Sequence, residues 1–278
     1  MKRIYILISI LASLLFLSCE KVIELDLKDA RPQIVVEANV NTGEGNNYVV
    51  LTRSGSFYDS NDFERISGAV VNIFDNNGNS YVLEEVEKGI YTDSVLSGNS
   101  LVNYSLKIDV ENQTLSSSST MPELVSIDSL SAEIMEGGMG GGPGGGHGGG
   151  TGDEEEPMYR VFCYFQDPVG VDNFYKLRAT QVFDGYEYTE SFIVNDDLFD
   201  GRTTKLGFRE FTLMKGDTLK VELFSIDRAN YEYYRLLEVN DMSSMSTSVG
   251  NPTSNVEGKD VIGVFGANAI DAEYIIIE

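Results

Sequence analysis

Tryptophan is absent from this chain of 278 residues, and histidine occurs once. The lone histidine, His147, stands in the middle of a glycine tract. A catalytic base must be held within hydrogen-bond reach of its target, which a glycine tract cannot do cheaply. Histidine-dependent triads and His-rich zinc sites are therefore excluded as working readings. The missing tryptophan removes the best ring for stacking on sugars and leaves 15 tyrosines for that task. Cysteine is nearly as scarce, with only Cys19 and Cys163. Positive charge is short too: 20 Lys and Arg face 44 Asp and Glu, for a formal net charge of −24. Such a surface repels phosphate backbones, so no nucleic-acid partner is expected. No apolar run reaches the ~20 residues of a membrane-spanning helix.

What is present begins at the N-terminus. Lys2 and Arg3 precede an apolar stretch, Ile4 to Leu17, broken only by Tyr5, Ser9 and Ser13. The length and the flanking charge fit a signal peptide. The run ends in Phe16-Leu17-Ser18-Cys19, a small residue directly before a cysteine, which is what lipoprotein signal peptidase cuts. Phe16 departs from the usual motif, where leucine is commoner. The expectation is cleavage after residue 18 and lipidation of Cys19, so the membrane is a partner through an N-terminal lipid. The mature chain then has 278 − 18 = 260 residues and, without Lys2 and Arg3, a net charge of −26. With Cys19 lipidated, Cys163 has no disulfide partner. It sits in Val161-Phe162-Cys163-Tyr164-Phe165 and reads as a small buried apolar residue.

From Gln33 onward strand patterns dominate. Gln33 to Val40, Asn47 to Arg53, Gly68 to Phe74, Ser80 to Val86 and Asn103 to Val110 are short β-rich runs separated by turn residues. Asn77-Gly78 between two strand-like runs predicts a hairpin, because both central residues tolerate positive φ. Ser116 to Pro122 reads as a crossover between domains. Further strands are expected at 127–134, 158–165, 174–182, 186–194, 218–224, 261–266 and 273–277. One helix is predicted near 227–241, capped by Asp227, with Tyr231, Tyr234 and Leu237 on one face. Residues 137–152 hold 12 glycines in 16 positions, and Asp153 to Glu156 follow. No core can form from such a segment, so 137–156 is expected to be a flexible, solvated insertion between two strands. No Gly-Lys-Ser/Thr follows the tract, so it is no phosphate loop.

The expected fold is all-β: two β-sandwich-like domains, the first immunoglobulin-like or carboxypeptidase-regulatory-like. The boundaries are 1–18 signal peptide, 19–32 lipid-anchored tether, 33–120 first sandwich and 121–278 second β-rich domain.

Candidate chemistry is thin. Oxygen-rich segments occur at Asp59-Ser60-Asn61-Asp62, at Asp75-Asn76-Asn77-Gly78, and at Asp196-Asp197 with Asp200-Gly201. Calcium uses such ligands, but none has EF-hand spacing and all are ordinary turn residues. No metal, cofactor or catalytic residue is assigned. No pair of carboxylates stands out as a glycosidase dyad. Three short sequences, Asp93-Ser94-Val95, Asp128-Ser129-Leu130 and Asp217-Thr218-Leu219, resemble the O-glycosylation acceptor of exported Bacteroidota proteins. Ser94, Ser129 and Thr218 are the candidate acceptors.

The order of several short motifs resembles the Bacteroidota outer-membrane lipoproteins grouped as domain of unknown function 4249. They are Ser18-Cys19-Glu20-Lys21-Val22-Ile23, Ile34-Val35-Val36-Glu37-Ala38, Ser67-Gly68-Ala69-Val70-Val71-Asn72-Ile73, Ser119-Thr120-Met121-Pro122, Phe165-Gln166-Asp167-Pro168 and Gly263-Val264-Phe265-Gly266-Ala267. The glycine tract departs from that family. The resemblance supplies no catalytic residues. It implies an outer-membrane lipoprotein, often encoded beside a TonB-dependent transporter. The resulting expectation is a non-enzymatic accessory or binding component on the cell surface or periplasmic face. Independent glycan or peptide capture and a structural or adhesive surface role stand as alternatives.

Overall fold

A computed structural model describes residues 32–43, 47–55, 63–135, 157–183, 185–211, 213–242 and 252–278. Cys19, the loop at Asp59 to Asp62, and the Gly-rich segment with His147 lie outside the described residues. The chain is mainly β. Its strands are β1 (Ile34–Asn41), β2 (Tyr48–Arg53), β3 (Val70–Asp75), β4 (Ser80–Glu87), β5 (Ile90–Thr92), β6 (Asn103–Val110) and β7 (Gln113–Thr120). They continue as β8 (Ile127–Ile134), β9 (Tyr159–Gln166), β10 (Phe174–Phe183), β11 (Tyr186–Asn195), β12 (Thr203–Gly207), β13 (Thr218–Ile226) and β14 (Val261–Ile276). One helix, α1 (Arg228–Met242), precedes β14.

Eleven strands form one sheet in the order β11-β10-β13-β14-β1-β2-β5-β4-β3-β6-β7. The last strand organises it. β14 runs for 16 residues. Its first half pairs in parallel with β1, from Ile34↔Val261 to Asn41↔Asn268. Its second half pairs antiparallel with β13, from Ser225↔Ala269 to Thr218↔Ile276. One strand therefore belongs to both halves of the sheet.

In the first half the sheet folds over on itself, and β7 returns toward the segment entering β14. Ser116 and Glu257 exchange backbone hydrogen bonds of 3.0 and 2.7 Å. Alternating residues point inward and build one core, including Val36, Leu51, Ile73, Leu106, Ile108, Leu115 and Phe265. Burying each such side chain contributes about 1.5–3 kcal/mol.

In the second half β11, β10, β13 and the end of β14 face a separate sheet of order β12-β9-β8. Cys163, Phe165, Tyr175, Leu177, Val221 and Leu223 fill the space between them. The opposite face of that half-sheet carries Phe174, Phe224 and Ile226 and receives α1 through Tyr231. Asp227 caps the helix by accepting from Asn230 N at 2.8 Å. Leu237, on the expected apolar stripe, is 37% exposed, whereas Asn230 is buried.

Two local expectations need correction. Ser116 to Thr120 is no crossover but part of β7, paired with β6 from Lys107↔Ser116 to Asn103↔Thr120. Its inward serines are satisfied: Ser117 Oγ donates to Asn255 O at 2.7 Å, and Ser119 Oγ donates to Asp227 Oδ2 at 2.5 Å. A buried hydroxyl with a partner costs little, so alternate serines can line a core face. At the β3–β4 hairpin only Gly78 takes a positive φ, of 93°. Asp75 N donates to Asn79 O at 3.1 Å, which gives a three-residue loop in place of the two-residue turn expected. Asp75 Oδ1 accepts from Asn77 N and Asn79 N at 3.0 and 2.8 Å and holds that loop.

The described flanks of the Gly-rich segment pair as expected for an insertion between two strands. β8 and β9 are antiparallel, Ile134 opposite Tyr159. Met135 N donates to Met158 O at 2.8 Å.

A candidate ligand cleft between the halves of the sheet

Where β14 passes from one half to the other, a polar cleft of about 310 Å³ opens. Asn39, Asn41, Asn47, Tyr48 and Thr92 line it from the first half, and Lys176, Arg178, Glu222, Phe224 and Tyr234 from the second. Asn268 and Ile270 of β14 line it too. The volume is at the lower end of the range for small-molecule sites, about 300–1,000 Å³.

Strand alternation explains the cations. In β10, Tyr175, Leu177 and Ala179 are buried in the sandwich core. Lys176 and Arg178 therefore point to the other face, into the cleft. Their cross-strand neighbours on β13 are Phe224 and Glu222. Arg178 Nε donates to Glu222 Oε2 at 2.7 Å, and its guanidinium lies 4.9 Å from the Phe224 ring centroid. Lys220 Nζ takes the other Glu222 oxygen at 2.8 Å. Lys176 Nζ sits 4.4 Å over the ring of Tyr234. Among the described residues no carboxylate stands within 4.0 Å of it. Burial lowers the Lys176 pKa, and Arg178 adds to the effect, against the pull of Glu37 and Glu238. Burial also raises Tyr48 to about 12, helped by Glu37, whose Oε1 accepts the Tyr48 hydroxyl at 3.0 Å.

The asparagines form a chain. Asn268 Nδ2 donates to Asn41 Oδ1 at 2.9 Å, and Asn41 Nδ2 donates to Asn39 Oδ1 at 3.2 Å. Asn47 Oδ1 accepts from Asn41 N at 2.6 Å. Asn268 Oδ1 is buried and has no partner among the described residues.

A second, larger groove of about 700 Å³ runs between the edge strands β11 and β12. Its carboxylates hold the backbone: Glu190 accepts from Arg209 N and Glu210 N, and Glu238 accepts from Ile193 N at 3.0 Å. Lys205 there is paired with Glu133 at 2.6 Å. Arg160 and Arg209 also line that groove. The cleft at β14 differs in joining a half-buried lysine without a carboxylate partner to a buried amide oxygen without a donor, both among the described residues, and that makes it the better candidate.

The oxygen-rich loops are placed as follows. Asp196 and Asp200 come together with Asp167, which the sequence reading did not include, their oxygens lying within 4.8 Å of one another. Each carboxylate closes a loop. Asp167 accepts from Tyr175 Oη at 2.5 Å and Gly201 N at 2.9 Å. Asp196 accepts from Asn173 N at 2.8 Å, and Asp200 from Gly170 N at 2.7 Å. Asp197 is not in the group; its Oδ2 accepts from Asn195 Nδ2 at 2.5 Å. Ser94, Ser129 and Thr218 are all exposed, in a bend, on β8 and at the start of β13. Cys163 is fully buried, and burial pushes its thiol up to about 12, with Asp271 and Asp128 adding to the effect. None of Lys176, Arg178 or the asparagines was singled out from sequence. The available signal was Phe174-Tyr175-Lys176-Leu177-Arg178-Ala179: two cations spaced by two in a strand of an acidic chain.

The fold and cleft define an all-β protein with a small polar site where its two halves meet. The chain belongs to the family described as Domain of unknown function (DUF4249), whose model matches residues 20–273. Among solved structures, a DUF4785 family protein from Legionella pneumophila is similar at 13% identity and a TM-score of 0.23. That match covers 70% of this chain and 52% of the other, so this chain spans about half of its length. No curated protein matches the sequence.

Proposed function

We propose that this protein is a lipid-anchored, non-enzymatic binding component of the outer membrane that serves a TonB-dependent transporter in nutrient uptake. The cleft at β14 is its ligand site. That cleft carries the proposal: it combines a cation without an ion-pair partner and a buried amide oxygen without a donor, both among the described residues, with a volume suited to a small molecule. Lipidation at Cys19 confines the domain to the membrane plane, on the surface or the periplasmic face. Confinement raises its effective concentration beside a transporter, so even a weak contact is occupied. Tyr48 and Tyr234 in the lining favour a second reading, independent capture of a glycan or peptide. The exposed Ser94, Ser129 and Thr218 are proposed O-glycan acceptors.

The test is affinity purification of the tagged, lipidated protein from gently solubilised membranes, with mass spectrometry of what co-elutes. A stoichiometric TonB-dependent barrel is the expected result. A clean preparation without a barrel overturns the transporter partnership and moves the weight to independent capture.

A further inference from the structure

We propose that the cleft binds a small organic monocarboxylate, with Lys176 as its counter-ion and the outer end of the Arg178 guanidinium as its hydrogen-bonding fork. The inference rests on the reading of this cleft as the ligand site and names the chemistry it accepts.

Lys176 is the first reason. An ammonium taken out of water normally has a carboxylate beside it, because burying a lone charge is costly. Lys176 instead has the face of Tyr234 at 4.4 Å and no ion-pair partner among the described residues. The two acids that act on it from further away are engaged elsewhere: Glu37 with the Tyr48 hydroxyl, and Glu238 with Ile193 N. A bound anion completes the site.

The charge count selects a monoanion. The cleft lining carries Lys176 and Arg178 against Glu222, while Glu37 and Glu238 act on Lys176 from outside the lining, in a chain of net charge −24, so little positive charge is left for a ligand to match. Glu222 is itself shared between Arg178 and Lys220. A dianion, such as the doubly charged form of phosphate, would overcharge this lining and meet the repulsion of the whole acidic surface. Geometry agrees. Among the described residues only Nε of Arg178 is engaged in a hydrogen bond, with Glu222. The two terminal nitrogens offer the planar fork that a carboxylate fits in bidentate fashion.

Asn268 narrows the class further. Its Oδ1 is a buried acceptor without a donor among the described residues. Such an atom is costly until a donor arrives. The ligand therefore carries a hydroxyl or N–H besides its carboxylate, as a uronic acid does. Phe224, Ile226 and Ile270 give it an apolar floor.

The experiment reads Lys176 directly. The lysines of the whole mature protein are reductively methylated with ¹³C, and the Lys176 methyl resonance is assigned by its absence from Lys176→Arg. The protein is titrated at constant ionic strength with sodium acetate, sodium D-glucuronate, sodium phosphate and D-glucose. Saturable movement of the Lys176 resonance is expected with acetate. D-glucuronate should reach half-saturation at about tenfold lower concentration, because it adds donors for Asn268. D-glucose should leave the resonance in place, and Arg178→Gln should weaken acetate binding about tenfold. A Lys176 resonance unmoved by both carboxylates overturns the proposal. Tighter binding of phosphate than of either carboxylate overturns the monocarboxylate assignment. A barrel recovered by affinity purification together with an unmoved Lys176 resonance would sink the carboxylate site alone; carboxylate binding without a barrel would sink the transporter partnership alone.

Discussion

Gly263 of β14 lies opposite Val36 of β1, and no side chain fits between them. A Cβ on Gly263 would overlap Val36 O and stand 2.8 Å from Val36 N. The φ of Gly263 is 149°, which L residues with a side chain rarely adopt. This pair sits inside the parallel ladder that brings β14 from the first half of the sheet to the second. Gly263→Ala should therefore separate β1 from β14 and cost about 3 kcal/mol or more, a large part of a typical domain's stability. Denaturant unfolding checks it. A midpoint unchanged from wild type would show that the backbones are not held this closely.

Acid should weaken one identifiable junction in the first half. Glu85 Oε2 accepts from Gly68 N at 3.0 Å, and Oε1 accepts from Gly89 N at 2.8 Å. The Ser67 hydroxyl, then the Gly89 and Gly68 N–H groups, hold its pKa down at about 2. A depressed carboxylate stabilises fully above its unfolded pKa, about 4.3. That contribution disappears as the pH falls through about 2. Glu85→Gln should be less stable than wild type at pH 7, and the difference should close as the pH approaches 2. A gap that does not change with pH would rule out this linkage.

The strands and the helix cap were legible because their signals are local. Alternation in Ile34 to Val40 and Asn103 to Val110, turn residues at Asn77-Gly78, and Asp227 ahead of a helical repeat each follow from short-range sterics. The parallel meeting of β1 with β14 was not legible, since residues more than 200 apart share no local pattern. β7 was misread because its serines look like loop residues; only distant partners, Asn255 and Asp227, make them acceptable inside. The cleft was hidden for the same reason. Lys176 and Arg178 read as solvated strand residues until Asn39, Tyr48 and Tyr234 are placed across from them. Asp167 joined Asp196 and Asp200 only through the meeting of two loops.

Cys163 should behave as packing, not as a reactive thiol. Its side chain is buried in β9, and a pKa near 12 leaves almost no thiolate at neutral pH. Thiol reagents should modify it only in denaturant. Rapid labelling of the native protein would contradict its position in the core.

If Ser94, Ser129 and Thr218 carry O-glycans, the intact mass of the mature protein from its native host should exceed that of lipid plus polypeptide by whole hexose units. Replacing all three by alanine should remove the excess. Each hydroxyl is exposed, so access by a transferase requires no unfolding. An intact mass without added sugar would dismiss the idea.

The cleft should also reveal itself as a stability cost. Burial holds the Lys176 pKa below its ordinary value, so the unfolded chain binds protons more tightly there than the folded one. The penalty is fully present below the folded pKa, and stability recovers as the pH rises toward the unfolded value of about 10.4. Lys176→Met keeps the aliphatic stem over Tyr234 and removes the charge. In the absence of ligand it should stabilise the protein by about 0.5–2 kcal/mol at neutral pH, the usual range for relieving such a defect. The gain should shrink on going to alkaline pH, where wild-type Lys176 is neutral in both states. In calorimetric titrations, the same variant should bind acetate and D-glucuronate at least tenfold more weakly than wild type. Greater stability combined with lost binding is the signature of a charge kept for a ligand. A variant that is less stable than wild type at neutral pH would instead make Lys176 a structural residue.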